Sequence, residues 1–71
     1  MKSEICKTIK ELRKQRWKTQ KEVAAAVGLT QAGYAHIESG KNQPKIKYIQ
    51  KLAKYYGLTT DDIMNCKNLV S

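Results

Sequence analysis

A chain of 71 residues with 41% hydrophobic content is expected to form one small domain with a core, which argues against a multidomain protein and against wholesale disorder. Fourteen Lys and Arg against six Asp and Glu give a formal charge of +8, which points to a polyanionic partner, nucleic acid or an anionic membrane surface. No apolar run approaches the roughly 18–20 residues of a membrane span, and Lys2, Glu4, Lys7 and Lys10 interrupt any signal-peptide core, so a soluble, cytoplasmic protein is expected.

Ile5, Ile9 and Leu12 recur at helical spacing, with Lys7, Lys10, Glu11 and Lys14 on the other face. They predict a first helix over about 3–16, with Ser3 as its candidate cap. Thr19 and Glu22 then form a T-x-x-E capping box, in which each side chain satisfies an orphan amide of the other residue. The helix that follows, Gln20–Val27, is short and alanine-rich, so a neighbouring helix can approach closely; Gly28 stops it in the left-handed position. Thr30 is the next cap, and a third helix runs over Gln31–Ser39 before Gly40 closes it. Only Tyr34 and Ile37 are candidates for the core in this segment, and Gly33 lowers its intrinsic helix propensity by roughly 1 kcal/mol relative to Ala.

Lys41, Asn42, Gln43 and Pro44 read as a loop, with Pro44 just before or at the start of a fourth helix. Its apolar stripe is Ile46, Ile49, Leu52, Ala53 and Tyr56, with Lys45, Lys47, Lys51 and Lys54 outside it, and Gly57 ends it. Gly57-Leu58-Thr59 repeats the arrangement of Gly28-Leu29-Thr30, and Thr59 with Asp62 predicts a short fifth helix holding Ile63 and Met64. No segment shows sustained strand alternation, so the expected fold class is all-α, five helices. Residues 1–65 are expected to be the domain and 66–71 a short tail. Cys6 and Cys66 form no Cys-x-x-Cys pair, and His36 is the sole histidine, so neither a metal site nor a cofactor site is expected. The thiols read as small apolar packers or free surface groups.

The unit from Thr19 to Gly40, two short helices around a glycine turn, has the anatomy of a helix-turn-helix. Around it, Ile9-Lys10-Glu11-Leu12-Arg13, Thr19-Gln20-Lys21-Glu22-Val23-Ala24, Val27-Gly28-Leu29-Thr30-Gln31, Ile37-Glu38-Ser39-Gly40-Lys41 and Leu52-Ala53-Lys54-Tyr55-Tyr56-Gly57-Leu58-Thr59 stand in matching order. On these residues the chain resembles the phage-repressor and Cro-like (Xre-like) family of helix-turn-helix DNA-binding proteins. The resemblance implies a recognition helix that begins at Thr30 and lies in the major groove. It places Gln20 on a backbone phosphate, bracing that helix, and base reading on Gln31, Ala32, Ala35 and His36. It also implies that Arg13 and Glu38 pair structurally, joining helix one to the recognition helix.

Chemistry supports part of this carry-over. A glutamine can bond adenine N6 and N7 together, and an alanine can touch a thymine methyl. His36 suits a base edge or a phosphate, or is an ordinary surface histidine. Lys41 and Asn42 are candidate phosphate contacts or plain loop residues. The helix over Gln31–Ser39 carries no Lys or Arg, whereas eight of the fourteen basic residues fall in the first 21 positions. That division suits a neutral reading face between basic backbone clamps.

Three departures from the family pattern stand out. Trp17 and Lys18 replace a frequent glycine and apolar residue before the first cap. Trp17 either turns into the core, with Lys18 extending outward, or is exposed as a contact surface. Ser39 stands where asparagine is frequent, and Lys45 replaces a small cap. Off the main stripe, Tyr48 and Tyr55 are candidates for rim packing. Ile63 and Met64, with Leu69 and Val70 of the tail, are candidate dimer contacts. The expected function is a sequence-specific duplex-DNA-binding regulator, a dimeric repressor on a palindromic operator with half-sites about one helical turn apart. The alternative is a protein-interaction module of the same fold or an antitoxin-type autoregulator with a protein partner. No paired nucleophile and base is visible, so an enzyme is not expected, nor is a small-molecule effector or a membrane partner.

Overall fold

The computed structural model describes residues 4–65, and within them the chain forms five helices and no strand. Ser3, Cys66, Leu69 and Val70 lie outside the described residues. The helices are α1 (Glu4–Gln15), α2 (Gln20–Val27), α3 (Gln31–Ser39), α4 (Ile46–Tyr56) and α5 (Thr60–Met64). Each boundary has a local chemical cause. Thr19 caps α2 by accepting from the Glu22 N–H at 3.0 Å, and the Thr19 N–H donates to Glu22 Oε1 at 2.9 Å. Thr59 and Asp62 repeat this reciprocal pair at α5, at 3.0 and 3.1 Å. Thr30 accepts from the Gly33 N–H at 3.0 Å, whereas Lys45 opens α4 with no side-chain cap.

The repeated Gly-Leu-Thr performs the same operation twice. Gly28 and Gly57 take left-handed backbone, at φ 79° and 72°, which reverses the chain at no Cβ cost. The next amide, of Leu29 or Leu58, donates back to the carbonyl of Ala24 or Ala53. Leu29 and Leu58 then pack against the core, and the following threonine caps the next helix.

The first helix ends one residue earlier than its apolar pattern suggests, because Arg16 and Trp17 form a turn. The Trp17 N–H donates to the Lys14 carbonyl and the Lys18 N–H to the Arg13 carbonyl, each at 3.1 Å. This is the hydrogen-bond pair of a Schellman motif, and Trp17 occupies its left-handed position at φ 56°. A residue with a Cβ costs roughly 1–2 kcal/mol there. Of the two placements open for Trp17, the structure takes the exposed one: the side chain is 92% exposed.

Ile9, Leu12, Val23, Val27, Tyr34, Ile37, Ile49, Leu52 and Ile63 form the centre of the core, closed by Ala24, Ala53 and Tyr56. Helix α3 packs against α1 and α2, α4 packs against α2 and α5, and α5 returns to α1. Cys6 is buried on α1. Two sequence expectations are corrected here. Ile46, assigned to the apolar stripe of α4, is 51% exposed, because the first residue of the helix extends past the core's edge. Ile63, a candidate dimer contact, is fully buried in the core and so has no surface to offer a partner, whereas its neighbour Met64 is exposed.

Candidate nucleic-acid interface

The third helix is built to hold one face fixed and leave the other open. Tyr34 and Ile37 anchor it in the core, and Glu38, unexpectedly for a charged residue, is equally buried. Gln31 and Ala32 are exposed, and Ala35 and His36 are half-buried. The four candidate reading residues therefore fall on or beside the outward side of one short, anchored helix. Gly33 leaves room for the cap at its start, since a Cβ at that position would approach Thr30 Oγ1 to 3.1 Å.

Burying Glu38 is tolerated because it is paired. Arg13 Nε donates to Glu38 Oε2 at 2.6 Å and its Nη2 to Oε1 at 3.1 Å, a bidentate pair across 25 residues of sequence. The third contact of the same guanidinium, Nη1 to the Lys18 carbonyl at 2.9 Å, ties down the turn before α2. Gln20 Nε2 donates to Glu38 Oε1 at 3.1 Å, so the start of α2 is fastened to the end of α3. One hydrogen of that amide and the Gln20 and Lys21 N–H groups remain to face an anion, since the Glu22 and Val23 N–H groups are taken by Thr19.

The network sets the charge states within it. Burial alone would raise the Glu38 pKa, but the Arg13 hydrogen bonds first, then the nearby Tyr34 hydroxyl and the Gln20 amide, outweigh it and hold the carboxyl below its ordinary range. The hydrogen bond to Glu38 in turn raises the Arg13 pKa. The Tyr34 hydroxyl feels the carboxylate closely yet has no fully formed hydrogen bond among the described residues. Burial, reinforced by Glu38, pushes its pKa far above that of a free phenol. Tyr56 is pushed up to about 12, by burial first and by neighbouring Tyr55 second. Glu22 is held below its ordinary range by its bond to the Thr19 backbone.

Beyond α3 the chain is tied back to it. The Asn42 N–H donates to the His36 carbonyl at 3.2 Å, and Ser39 Oγ donates to the same carbonyl at 3.1 Å. Lys41 and Asn42 are both exposed in this turn. An open cleft of about 340 Å³ runs beside the helix, between Gly33 and Ile37 on one side and Asn42, Lys45 and Tyr48 on the other. Tyr48 is half-buried and Tyr55 lies edge-on to Tyr56, with ring centroids 5.1 Å apart. Among the described residues, no cluster of His, Cys, Asp or Glu could hold a metal ion, and no helix is long and apolar enough to cross a membrane.

Reading the sequence did not find two features: the Arg13 bond to the Lys18 carbonyl and the left-handed backbone of Trp17. The second had a signal, because the family resemblance sets Trp17 against a frequent glycine.

A fold of five short helices with a capped pair around a glycine turn defines a helix-turn-helix domain, and the family model for the helix-turn-helix matches residues 9–63. The chain belongs to this family. It is 35% identical over 57 residues to the cryptic phage CTXphi transcriptional repressor RstR of Vibrio cholerae, covering 80% of this chain and 51% of that one. It is 30% identical over 60 residues to the HTH-type transcriptional regulator DdrOP3 of Deinococcus deserti, covering 84% and 46%. With the HTH-type transcriptional regulator PuuR of Escherichia coli it shares 36% over 59 residues, covering 83% and 32%. The chain thus spans about half the length, or less, of these curated relatives. No solved structure gives a significant match.

Proposed function

We propose that this chain is a sequence-specific, duplex-DNA-binding transcriptional regulator that represses as a homodimer on a palindromic operator and catalyses no reaction. The observation that carries this reading is the two-sided build of α3. Its inward side is locked by Tyr34, Ile37 and the Arg13–Glu38 pair, while Gln31 and Ala32 stand exposed with no competing charge on the helix surface. A rigid neutral face of this kind suits the major groove, where Gln31 reads adenine and Ala32 and Ala35 lie against thymine methyls. His36 then takes a base edge or phosphate near the end of the helix.

The backbone contacts come from the flanks. Thr19 and Gln20 present the start of α2 to one phosphate, Thr30 presents the start of α3, and Lys41 and Asn42 hold a phosphate past its end. Arg13 and Glu38 do not touch DNA in this reading; they join α1 to α3. Met64, together with Leu69 and Val70, supplies the dimer contact. The ligand is DNA alone, with no small-molecule effector, in the cytoplasm of a prokaryotic or phage-infected cell.

The relatives named as transcriptional regulators and a transcriptional repressor support this reading. Its test is selection from a randomised duplex library near physiological salt, followed by sequencing. An enriched palindrome with half-sites about one helical turn apart is expected. Salt-sensitive binding with no enrichment would refute specific recognition and reduce the interaction to the chain's positive charge.

A further inference from the structure

Among the exposed large apolar residues, Trp17 stands apart. It is 92% exposed, whereas Ile46, Met64 and Tyr55 are 51%, 40% and 38% exposed. The fold gains nothing from an indole at this position. The turn needs left-handed backbone, which glycine supplies freely, and Trp17 holds it at φ 56° while leaving its own apolar surface in water. Strained, exposed residues of this kind are expected where a molecule meets its ligand.

The position of the turn narrows the ligand. Trp17 lies three residues before Gln20, in the segment that Arg13 clamps through the Lys18 carbonyl and thereby to Glu38 and α3. The segment is thus tied by hydrogen bonds into the α2–α3 frame. Its neighbours along the chain are mostly cationic: Lys14 and Lys21 are exposed, and Lys18 is half-buried and lies within the electrostatic reach of Glu22. Arg16, the adjacent cation, is drawn away onto the Tyr56 ring, 5.0 Å from its centroid, so it does not cover the indole. A second copy of the chain would bring the same lysines to the contact. An aromatic face set among cations suits a ligand that is anionic and has flat or apolar surface between its charges, which describes a nucleotide.

We propose that Trp17 is a DNA-contacting residue outside the helix-turn-helix itself. The indole packs on the sugar of a nucleotide flanking the half-site, and its Nε1–H donates to the adjoining phosphate. This rests on the reading that α2 and α3 face duplex DNA, and it extends the footprint past the start of α2.

Trp17 is the single tryptophan of the chain, so its emission reports one site. The full chain is titrated with a labelled duplex of the selected operator, following DNA anisotropy and, under selective tryptophan excitation, acrylamide quenching. The quenching constant is expected to fall several-fold in step with the anisotropy. The Trp17→Gly variant is expected to unfold at a higher urea concentration than the parent, since the turn is relieved, yet to bind the operator about tenfold more weakly, a loss of ~1.4 kcal/mol. A Trp17→Ala variant, which keeps the left-handed strain, should show the same DNA deficit without the gain in stability.

Unchanged quenching at saturating duplex, or parental affinity in both variants, would overturn the inference while leaving DNA recognition by α3 intact. Failure of the parent chain to bind any duplex would remove both. Protection by anionic phospholipid vesicles but not by duplex would assign the residue to a lipid surface and overturn the inference as well.

Discussion

Replacing Arg13 by alanine tests whether the buried ion pair, and not helix packing alone, holds α3 in place. The change leaves the Glu38 carboxylate, whose side chain is only 3% exposed, with the single short donor from Gln20 and the nearby Tyr34 hydroxyl. Removing one partner of a pair this deeply buried costs about 3–5 kcal/mol, because the remaining charge is stranded. At ~0.05–0.15 kcal/mol per residue, a chain of 71 residues has a total stability of about 4–11 kcal/mol, so the variant should be marginal at neutral pH.

The pH dependence carries the sharper signature. In the parent, the Glu38 pKa is depressed on folding, so its contribution is present above the ordinary carboxyl value of 4.5 and is lost as pH falls through the lower folded value. Without Arg13, burial dominates and the folded pKa rises above that value. Arg13→Ala should therefore regain stability on acidification from neutral pH, where the parent gains none from this group. Urea unfolding followed by circular dichroism between neutral pH and pH ~4 reads both slopes. An Arg13→Ala, Glu38→Gln double variant should recover most of the loss, since no charge is then stranded. A cost below ~1 kcal/mol, with the parent's pH dependence retained, would mean that the pair behaves as a solvent-screened surface bridge and would refute the reasoning.

Two further outcomes follow from the same geometry. Lys41→Ala should weaken binding to operator and random duplexes alike and reduce the slope of log K against log salt by about one, measured by anisotropy titration over a salt series; a loss confined to the operator would contradict its role as a clamp. At alkaline pH, the raised pKa of Tyr56 means that its contribution is complete below the ordinary phenol value of 10.0 and is lost as pH climbs from there through about 12. The urea midpoint should fall over that interval, less steeply in Tyr56→Phe, and identical profiles would contradict the assigned cause.

The parts of this molecule that were legible in the sequence are those set by neighbours along the chain. Thr19 with Glu22, Thr59 with Asp62, and the two Gly-Leu-Thr turns act over four or five residues, and their geometry follows from residue type. Contacts across long sequence separation were not legible by the same means. The Arg13–Glu38 bridge spans 25 residues and was reachable only through family resemblance, since no local pattern distinguishes that arginine from Lys10 or Lys14. Ile46 and Ile63 show the limit of periodicity, which identifies an apolar residue on a helix but not whether the core extends beneath it. In a five-residue helix such as α5 the pattern is too short to separate an inward from an outward isoleucine. For Trp17, the hydrogen bonds of the turn decide the backbone, and the backbone leaves the indole outside.

The central claim is that Gln31 reads a base from a face of α3 held rigid by its buried side, and a cycle of variants across the interface tests it most directly. Parent and Gln31→Ala chains are titrated against the selected operator and against its single-base-pair variants at fixed salt. The parent is predicted to lose about 1–3 kcal/mol on changing one particular base pair, and Gln31→Ala to be indifferent at that pair while keeping the parent's sensitivity elsewhere. Identical sensitivity profiles for the two chains would contradict the claim and move base recognition off this residue.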